Sequence, residues 1–153
     1  MSYNDEEAKQ RISIALNILF KNDWFLLENR ANERSIAHKI AEYMQVLFPE
    51  WNIDCEYNRK GLKLKLLEGI RECEVQRTTD RVYPDIIVHK RNTDDNLLVI
   101  EIKTISNEET CDKRKLELFT NKEGEYRYQL GLFIKFNSIE RPELQYYKNG
   151  QQI

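Results

Sequence analysis

Apolar residues recur at helical spacing in two segments of the first third of the chain. The first segment, residues 5–23, begins with acidic side chains, which suit the positive end of a helix dipole, and its apolar positions are Ile12, Leu16, Ile18 and Leu19. The second segment, residues 31–48, has Asn32 as its predicted N-cap and ends before Pro49. Its apolar positions are Ile36, Ala37, Ile40, Met44 and Leu47. Two amphipathic helices are predicted, with the short segment WFLLE between them as strand or turn.

The pattern from residue 52 onward is typical of strands rather than helices. VYPDIIVHK and LLVIEIKT flank the turn residues NTDDN, which predicts an antiparallel hairpin. The other predicted elements are strands at residues 52–59 and 61–69, a helix at 111–120, a buried strand at 126–136 and an edge strand in the tail with an Asn149-Gly150 turn. This order predicts an α/β fold with a mixed central sheet flanked by helices.

Length and composition indicate one soluble domain. The chain has 153 residues, of which 41% are hydrophobic and 33% charged, enough for a core without disulfide support. It has no apolar run long enough to cross a bilayer, and its first residues do not resemble a signal peptide. Cys55, Cys73 and Cys111 are widely spaced, and each is predicted to be a free thiol. These features predict a cytoplasmic protein.

The net charge of -2 argues against a protein that coats nucleic acid by bulk electrostatics. Basic side chains are nevertheless concentrated in residues 59–91, where 9 Lys and Arg face 5 Asp and Glu. This segment is interpreted either as a phosphate-contacting surface or as a solvated loop and edge strand.

The predicted hairpin contains three charged residues that strand interiors normally exclude. Asp85 follows Pro84 at the start of one strand, and Glu101 and Lys103 lie two apart on the other, so the latter two project from one face. Two carboxylates with a backbone carbonyl such as that of Ile102 suit Mg²⁺ or Mn²⁺, and Lys103 can act on a bound water or on phosphate. The alternative is an internal salt bridge between Lys103 and one carboxylate.

Pro84-Asp85, a strand-turn-strand interval and then Glu101-Ile102-Lys103 resemble the PD-(D/E)xK nuclease superfamily, which has the restriction-endonuclease-like fold. The resemblance implies an αβββαβ core, at about residues 31–136, within a single nuclease-like domain of residues 1–153. That core carries an extra N-terminal helix and a C-terminal edge strand. EYNR at residues 56–59 also looks like small prokaryotic members of the superfamily.

The resemblance implies roles for four residues. Asp85 and Glu101 become metal ligands, Lys103 the catalytic lysine, and Glu33 a further acid supplied by the preceding helix. The alternative for Glu33 is a favourable interaction with the dipole of its own helix. Candidate nucleic-acid contacts are Arg59, Lys113, Arg114 and Gln129, although a solvated or packed side chain explains each of them as well. His89 is expected to be a surface or a hydrogen-bonded histidine rather than a metal ligand.

The predicted function is that of a Mg²⁺- or Mn²⁺-dependent nuclease, a hydrolase that cleaves phosphodiester bonds of DNA or RNA. The expected partner is nucleic acid, with DNA ahead of RNA, and no association with a membrane is expected. The chain is expected to act as a homodimer or as a subunit of a larger complex. The alternative is a catalytically inactive nuclease-fold module that binds nucleic acid or a partner protein.

Overall fold

A computed structural model of the chain describes residues 3–28, 32–55, 62–63, 81–104, 110–136 and 141–153. The helices are α1 (Asp5–Asn22), α2 (Trp24–Glu28), α3 (Glu33–Leu47) and α4 (Thr110–Thr120). The strands are β1 (Asn52–Cys55), β2 (Leu62–Lys63), β3 (Arg81–Val82), β4 (Ile86–His89), β5 (Asn96–Lys103), β6 (Leu130–Lys135), β7 (Glu143–Lys148) and β8 (Gln151–Gln152).

Six of these strands form one mixed sheet in the order β1-β4-β5-β6-β7-β8. All neighbours in this sheet are antiparallel except β5 and β6, which run parallel and are connected through α4. Strands β2 and β3 pair with each other in a separate two-stranded sheet. The chain is therefore of the mixed α/β class.

The central sheet is covered on both faces, which explains why its strands are almost continuously apolar. Alternate residues of β4 and β5, including Ile86, Ile100 and Ile102, belong to a core that they share with α1 and α3. The intervening residues, including Ile87 and Val99, belong to a second core with α4. Glu101 and Lys103 alternate with Ile100 and Ile102 and therefore project toward the α4 face.

Gly131 permits the close approach of α4 to β6. A Cβ atom at this position would lie 2.9 Å from Thr120 Cγ2 and 3.3 Å from Tyr147 Cβ. Only a residue without a side chain fits between the helix and the neighbouring strand, so Gly131 helps to set the distance between α4 and the sheet. This distance matters because α4 carries Asp112 and Lys115, which pair with charged residues of β5.

Both predicted amphipathic helices are confirmed. Asn4 caps α1 and Asn32 caps α3, in each case through a side-chain oxygen that accepts a hydrogen bond from a backbone N–H. The hairpin of β4 and β5 and the tail turn are also confirmed. Asn149 and Gly150 both have positive φ, as a tight turn between antiparallel strands requires.

Other predictions need correction or lie outside the described residues. WFLLE forms the short helix α2 rather than a strand or turn. Of the predicted strand at 61–69, the described part is Leu62–Lys63, which pairs outside the central sheet. Cys55 is outside any disulfide, as predicted, but it is exposed rather than packed as a small hydrophobic residue. Cys111 is disulfide-bonded, so the free-thiol prediction is wrong for Cys111. No helix within the described ranges is long and apolar enough to cross a membrane.

Candidate functional site

Asp85 and Glu101 are brought together by two hydrogen bonds that connect the start of β4 to β5. The backbone N–H of Asp85 donates to Glu101 Oε2 at 2.8 Å, and Asp85 Oδ2 accepts from the backbone N–H of Ile102 at 2.8 Å. Ile86 pairs with Ile100 in the antiparallel register, so Asp85 and Glu101 lie just beyond this pair. The hairpin thus places the two predicted acids beside each other.

Glu101 is fully buried, with 0% of its surface exposed. Burial, followed by the neighbouring Asp85 carboxylate, raises the pKa of Glu101 from its ordinary value of 4.5 to about 8. Burial also raises the pKa of Asp85, outweighing the hydrogen bond from the Ile102 amide. The raised pKa values of these two adjacent carboxyls mean that the positive charge around them is too small to stabilise both in the ionised form.

A lysine of α4 supplies part of that charge. The ammonium of Lys115 forms an ion pair with Glu101 Oε1, and the Lys115 side chain is only 7% exposed. Burial by itself would lower the pKa of Lys115, but the nearby carboxylates, Glu101 first, raise it. Lys115 is therefore a buried cation held by acids of the site.

Lys103 lies on the same face as Glu101 but pairs with a different acid. Its Nζ is 2.8 Å from Asp112 Oδ2, and this contact outweighs burial and raises the pKa of Lys103. The other oxygen of Asp112, Oδ1, is 3.7 Å from Lys115 Nζ. Lys103 does form an internal salt bridge, as one interpretation of the sequence predicted, but with Asp112 rather than with either acid of the hairpin.

Glu33, at the first position of α3, faces the same end of the sheet. It is close enough to Lys103 and Asp85 for their charges to influence it, and it accepts a backbone hydrogen bond from Thr104. Burial is the main reason that its pKa is raised. The prediction that α3 brings Glu33 toward the hairpin acids is therefore consistent with its surroundings.

A cavity of about 700 Å³ adjoins these acids, within the range of pockets that hold small ligands. Its wall is formed by α3, the end of β1, the start of β4 and the end of β5. The lining residues are Asn32, Glu33, Arg34, Ala37, His38, Cys55, Asp85 and Thr104. Solvent and ligands thus reach Asp85 and Glu33 from one side, while Glu101 stays behind them.

The carboxylate oxygens of Asp85 and Glu101 are of the type that binds a hard divalent cation, although their positions do not form a coordination site. Asp85 Oδ1 has no hydrogen bond to any residue in the described ranges, whereas both oxygens of Glu101 are engaged. No group of three or more His, Cys, Asp and Glu side chains in those ranges is arranged to hold a metal. Carboxylate oxygens are nevertheless the type of ligand that Mg²⁺ and Mn²⁺ prefer. The Ile102 carbonyl stays a predicted ligand.

Asp112 and Lys115 were missed as site residues. The sequence suggested solvated or phosphate-contacting side chains for Lys113 and Arg114 of this helix, but the next residue, Lys115, is buried and pairs with Glu101 of the sheet. A signal was present, because Asp112, Lys115, Leu116 and Phe119 lie at the i, i+3, i+4, i+7 spacing of one helical face. The apolar members of that face should have indicated that Lys115 faces the core.

The predicted nucleic-acid contacts that the structure describes lie in different surroundings, and Gln129 is remote from the acids. Arg59 lies outside the described residues. Lys113 Nζ lies 5.4 Å from the centre of the Phe133 ring, and exposed Arg114 pairs with Glu117 at 3.0 Å. Gln129 donates to the Tyr3 carbonyl at 3.0 Å and to Asp5 Oδ1 at 2.9 Å, and its backbone N–H bonds to Asn96, at the opposite end of β5 from Lys103.

A second polar cluster lies at the other end of β4. His89 is buried, with Nε2 2.7 Å from Asp54 Oδ2, and Arg91 Nε donates to the same oxygen at 3.0 Å. Although burial opposes the change, the hydrogen bonds with Arg91 and His89 lower the pKa of Asp54. Of the two alternatives expected for His89, the hydrogen-bonded histidine is confirmed and the surface histidine is not.

Comparison of the chain with models of known protein families, with curated proteins and with solved structures finds no match. Its function therefore has to be inferred from its own residues.

Proposed function

We propose that the chain is a nuclease that hydrolyses phosphodiester bonds of DNA or RNA with Mg²⁺ or Mn²⁺ as its cofactor. The observation that carries the proposal is the convergence of Glu33, Asp85, Glu101 and Lys103 at one end of the central sheet, beside an open cavity. The order α3, β1, β4, β5, α4, β6 also agrees with the αβββαβ core that the resemblance to PD-(D/E)xK nucleases implies.

Asp85 and Glu101 would hold the ion, with Glu33 as a further ligand from the cavity wall. A bound Mg²⁺ supplies Lewis-acid polarisation of a phosphoryl oxygen and lowers the pKa of a coordinated water. The Lys103 ammonium provides positive charge for the developing phosphorane or orients the attacking water. Asp112 keeps this ammonium in position, since it holds Lys103 Nζ at 2.8 Å.

The cavity determines where the substrate backbone would enter. Asp85 and Glu33 line it together with Arg34 and His38 of α3, which lie four residues apart on one side of that helix. Carboxylates alone would repel a phosphodiester, so the ion and these basic side chains are needed to bind it. A strand of nucleic acid is therefore the substrate proposed here, with DNA as the first to be tested.

The direct test is cleavage of single- and double-stranded DNA and RNA in Mg²⁺ and in Mn²⁺. We expect the wild-type chain to cut at least one substrate, and Asp85→Ala and Lys103→Ala each to lower the rate by about 100-fold or more. Asp95→Ala and Lys122→Ala, which remove exposed charges of the same type elsewhere, are matched controls and should keep full activity. A chain that leaves every substrate intact with both ions would contradict the proposal.

A second candidate function is a catalytically inactive module of the same fold that binds nucleic acid or a partner protein. It is favoured by the ion pairs of the site, in which Lys115 neutralises Glu101 and Asp112 holds Lys103. Metal titration distinguishes the two candidates. The inactive module shows no Mn²⁺ affinity that disappears in Asp85→Ala, whereas the nuclease does.

A further inference from the structure

Lys115 occupies a position that the proposed nuclease mechanism does not use. Its ammonium lies against Glu101 Oε1, and both side chains are buried. A buried carboxylate without a counter-charge would be costly, so Lys115 stabilises the chain when no other cation is present. The same oxygen belongs to one of the two proposed metal ligands.

Asp112 offers this ammonium a second partner close by. Asp112 Oδ1 lies 3.7 Å from Lys115 Nζ, and the two residues are three apart on α4. Asp112 Oδ2 already holds Lys103. A small movement of the flexible lysine side chain would therefore transfer Lys115 from Glu101 to Asp112 without unpairing it.

We propose that Lys115 is the built-in counter-ion of the site, which a divalent ion must displace from Glu101 and which Asp112 then receives. This inference rests on the proposed function, because it presupposes that Glu101 binds metal. An ammonium and a dication repel each other strongly at ion-pair distance in a poorly solvated site. Lys115 therefore stabilises the metal-free chain and, by the same interaction, weakens metal binding.

The test is the dissociation constant for Mn²⁺, measured from the electron paramagnetic resonance signal of the free ion. Lys115→Gln removes the charge but keeps a hydrogen-bond donor for Glu101, and we expect it to bind Mn²⁺ at least about tenfold more tightly than wild type. Lys115→Arg keeps the charge and should stay within about threefold of wild type or bind more weakly. Lys122→Gln, which removes an exposed charge beyond the end of α4, should leave the constant unchanged.

A second variant covers the case in which Lys115→Gln folds poorly. Asp112→Asn keeps the Lys115–Glu101 pair but removes the receiving carboxylate, so it should bind Mn²⁺ several-fold more weakly than wild type. In addition, the metal-free Lys115→Gln chain should melt at a lower temperature than wild type, and saturating Mn²⁺ should raise its melting temperature by more.

The outcomes separate this inference from the proposed function. Mn²⁺ binding by the wild type with equal or weaker binding by Lys115→Gln would overturn the role of Lys115 and leave the nuclease proposal standing. Binding by Lys115→Gln alone, abolished by adding Asp85→Ala, would support the role of Lys115 while showing that the native site is closed to metal. Absence of binding in both chains would overturn both.

Discussion

The two ends of β4 carry polar clusters that differ in the balance of their charges. At the Asp85 end, four carboxylates, of Glu33, Asp85, Glu101 and Asp112, face two ammonium groups, of Lys103 and Lys115. At the His89 end, Asp54 is the acid that the described residues provide, and it is hydrogen-bonded to both Arg91 and His89. Among the residues that the structure describes, acids are therefore in excess in the first cluster and matched in the second.

The pKa values follow this difference. Burial raises the pKa of Glu101 to about 8 and also raises that of Asp85, whereas hydrogen bonds with Arg91 and His89 lower the pKa of Asp54. A lowered carboxyl pKa means that the ionised form stabilises the fold, and a raised one means that ionisation destabilises it. The cluster of Asp54 is therefore a structural one, while the cluster of Asp85 gains stability if a cation is added.

The largest expected effect is the loss of stability when one cation is removed from the cluster of Asp85. Above about pH 8, where the Glu101 carboxyl is ionised beside Lys115, Lys115→Met leaves this buried charge without its partner, and we expect the free energy of unfolding to fall by about 3–5 kcal/mol. Urea unfolding in the presence of EDTA measures this change. Replacing both residues, as Glu101→Leu with Lys115→Met, should recover much of the loss, and a double variant as unstable as the single one would contradict the assignment.

The pH dependence of stability should differ in sign between the two ends. Between its ordinary pKa of 4.5 and its folded pKa of about 8, Glu101 retains in the folded chain a proton that the unfolded chain has released. The free energy of unfolding therefore falls as pH rises through this range, by at most about 1.4 kcal/mol per pH unit. Asp54 acts oppositely, since its stabilisation is present above its ordinary pKa of 3.8 and is lost as pH falls through the lowered value.

Urea unfolding of the metal-free chain at pH 5, 6.5 and 8 checks this prediction. Glu101→Gln should remove most of the fall between pH 5 and 8, because it can no longer ionise, whereas Asp54→Asn should leave that fall in place. An unchanged slope in Glu101→Gln would show that the buried carboxyl does not titrate in this range.

Protection of a cysteine from chemical modification tests whether nucleic acid binds at the Asp85 end of β4 rather than at the His89 end. Cys55 is exposed and lines the cavity with Asp85, so bound DNA or RNA should slow its reaction with a maleimide several-fold. The matched control is Asp95→Cys in a Cys55→Ser background, which places a thiol in the exposed turn between β4 and β5. Equal protection of both thiols would argue against binding in the cavity.

The smallest expected effect concerns Arg91. Its side chain is 51% exposed, so the guanidinium side of its ion pair with Asp54 is solvated. Arg91→Ala should lower the free energy of unfolding by no more than about 1 kcal/mol and should not change Mn²⁺ affinity. A loss as large as that of Lys115→Met would mean that the second cluster is as critical to the fold as the first.

Most of the fold was predictable because its elements have strong local signals. The helix cap at Asn32, the turn residues NTDDN and the periodic apolar positions each specify local structure. The prediction for WFLLE was wrong because five residues are too few to show whether the apolar positions follow the period of a helix or of a strand. The disulfide state of Cys111 depends on a distant part of the chain, which spacing along the sequence does not determine.

The candidate site was predictable only where the hairpin register determines it. Asp85 and Glu101 meet because a short turn joins β4 to β5 and alternation places side chains on known faces. The ion pairs of Asp112 and Lys115 depend instead on how α4 docks on the sheet, which Gly131 and Thr120 help to set. Packing of this kind between elements distant in sequence is not readable from local patterns.

The proposed nuclease activity requires a divalent ion bound between Asp85 and Glu101. Crystals soaked in Mn²⁺ and measured near the manganese absorption edge test this claim. We expect an anomalous difference peak within coordination distance of both carboxylates, about 2.0–2.6 Å, and its loss in crystals of Asp85→Ala. A map without a peak at this position, with Lys115 still paired to Glu101 at saturating Mn²⁺, would contradict the account.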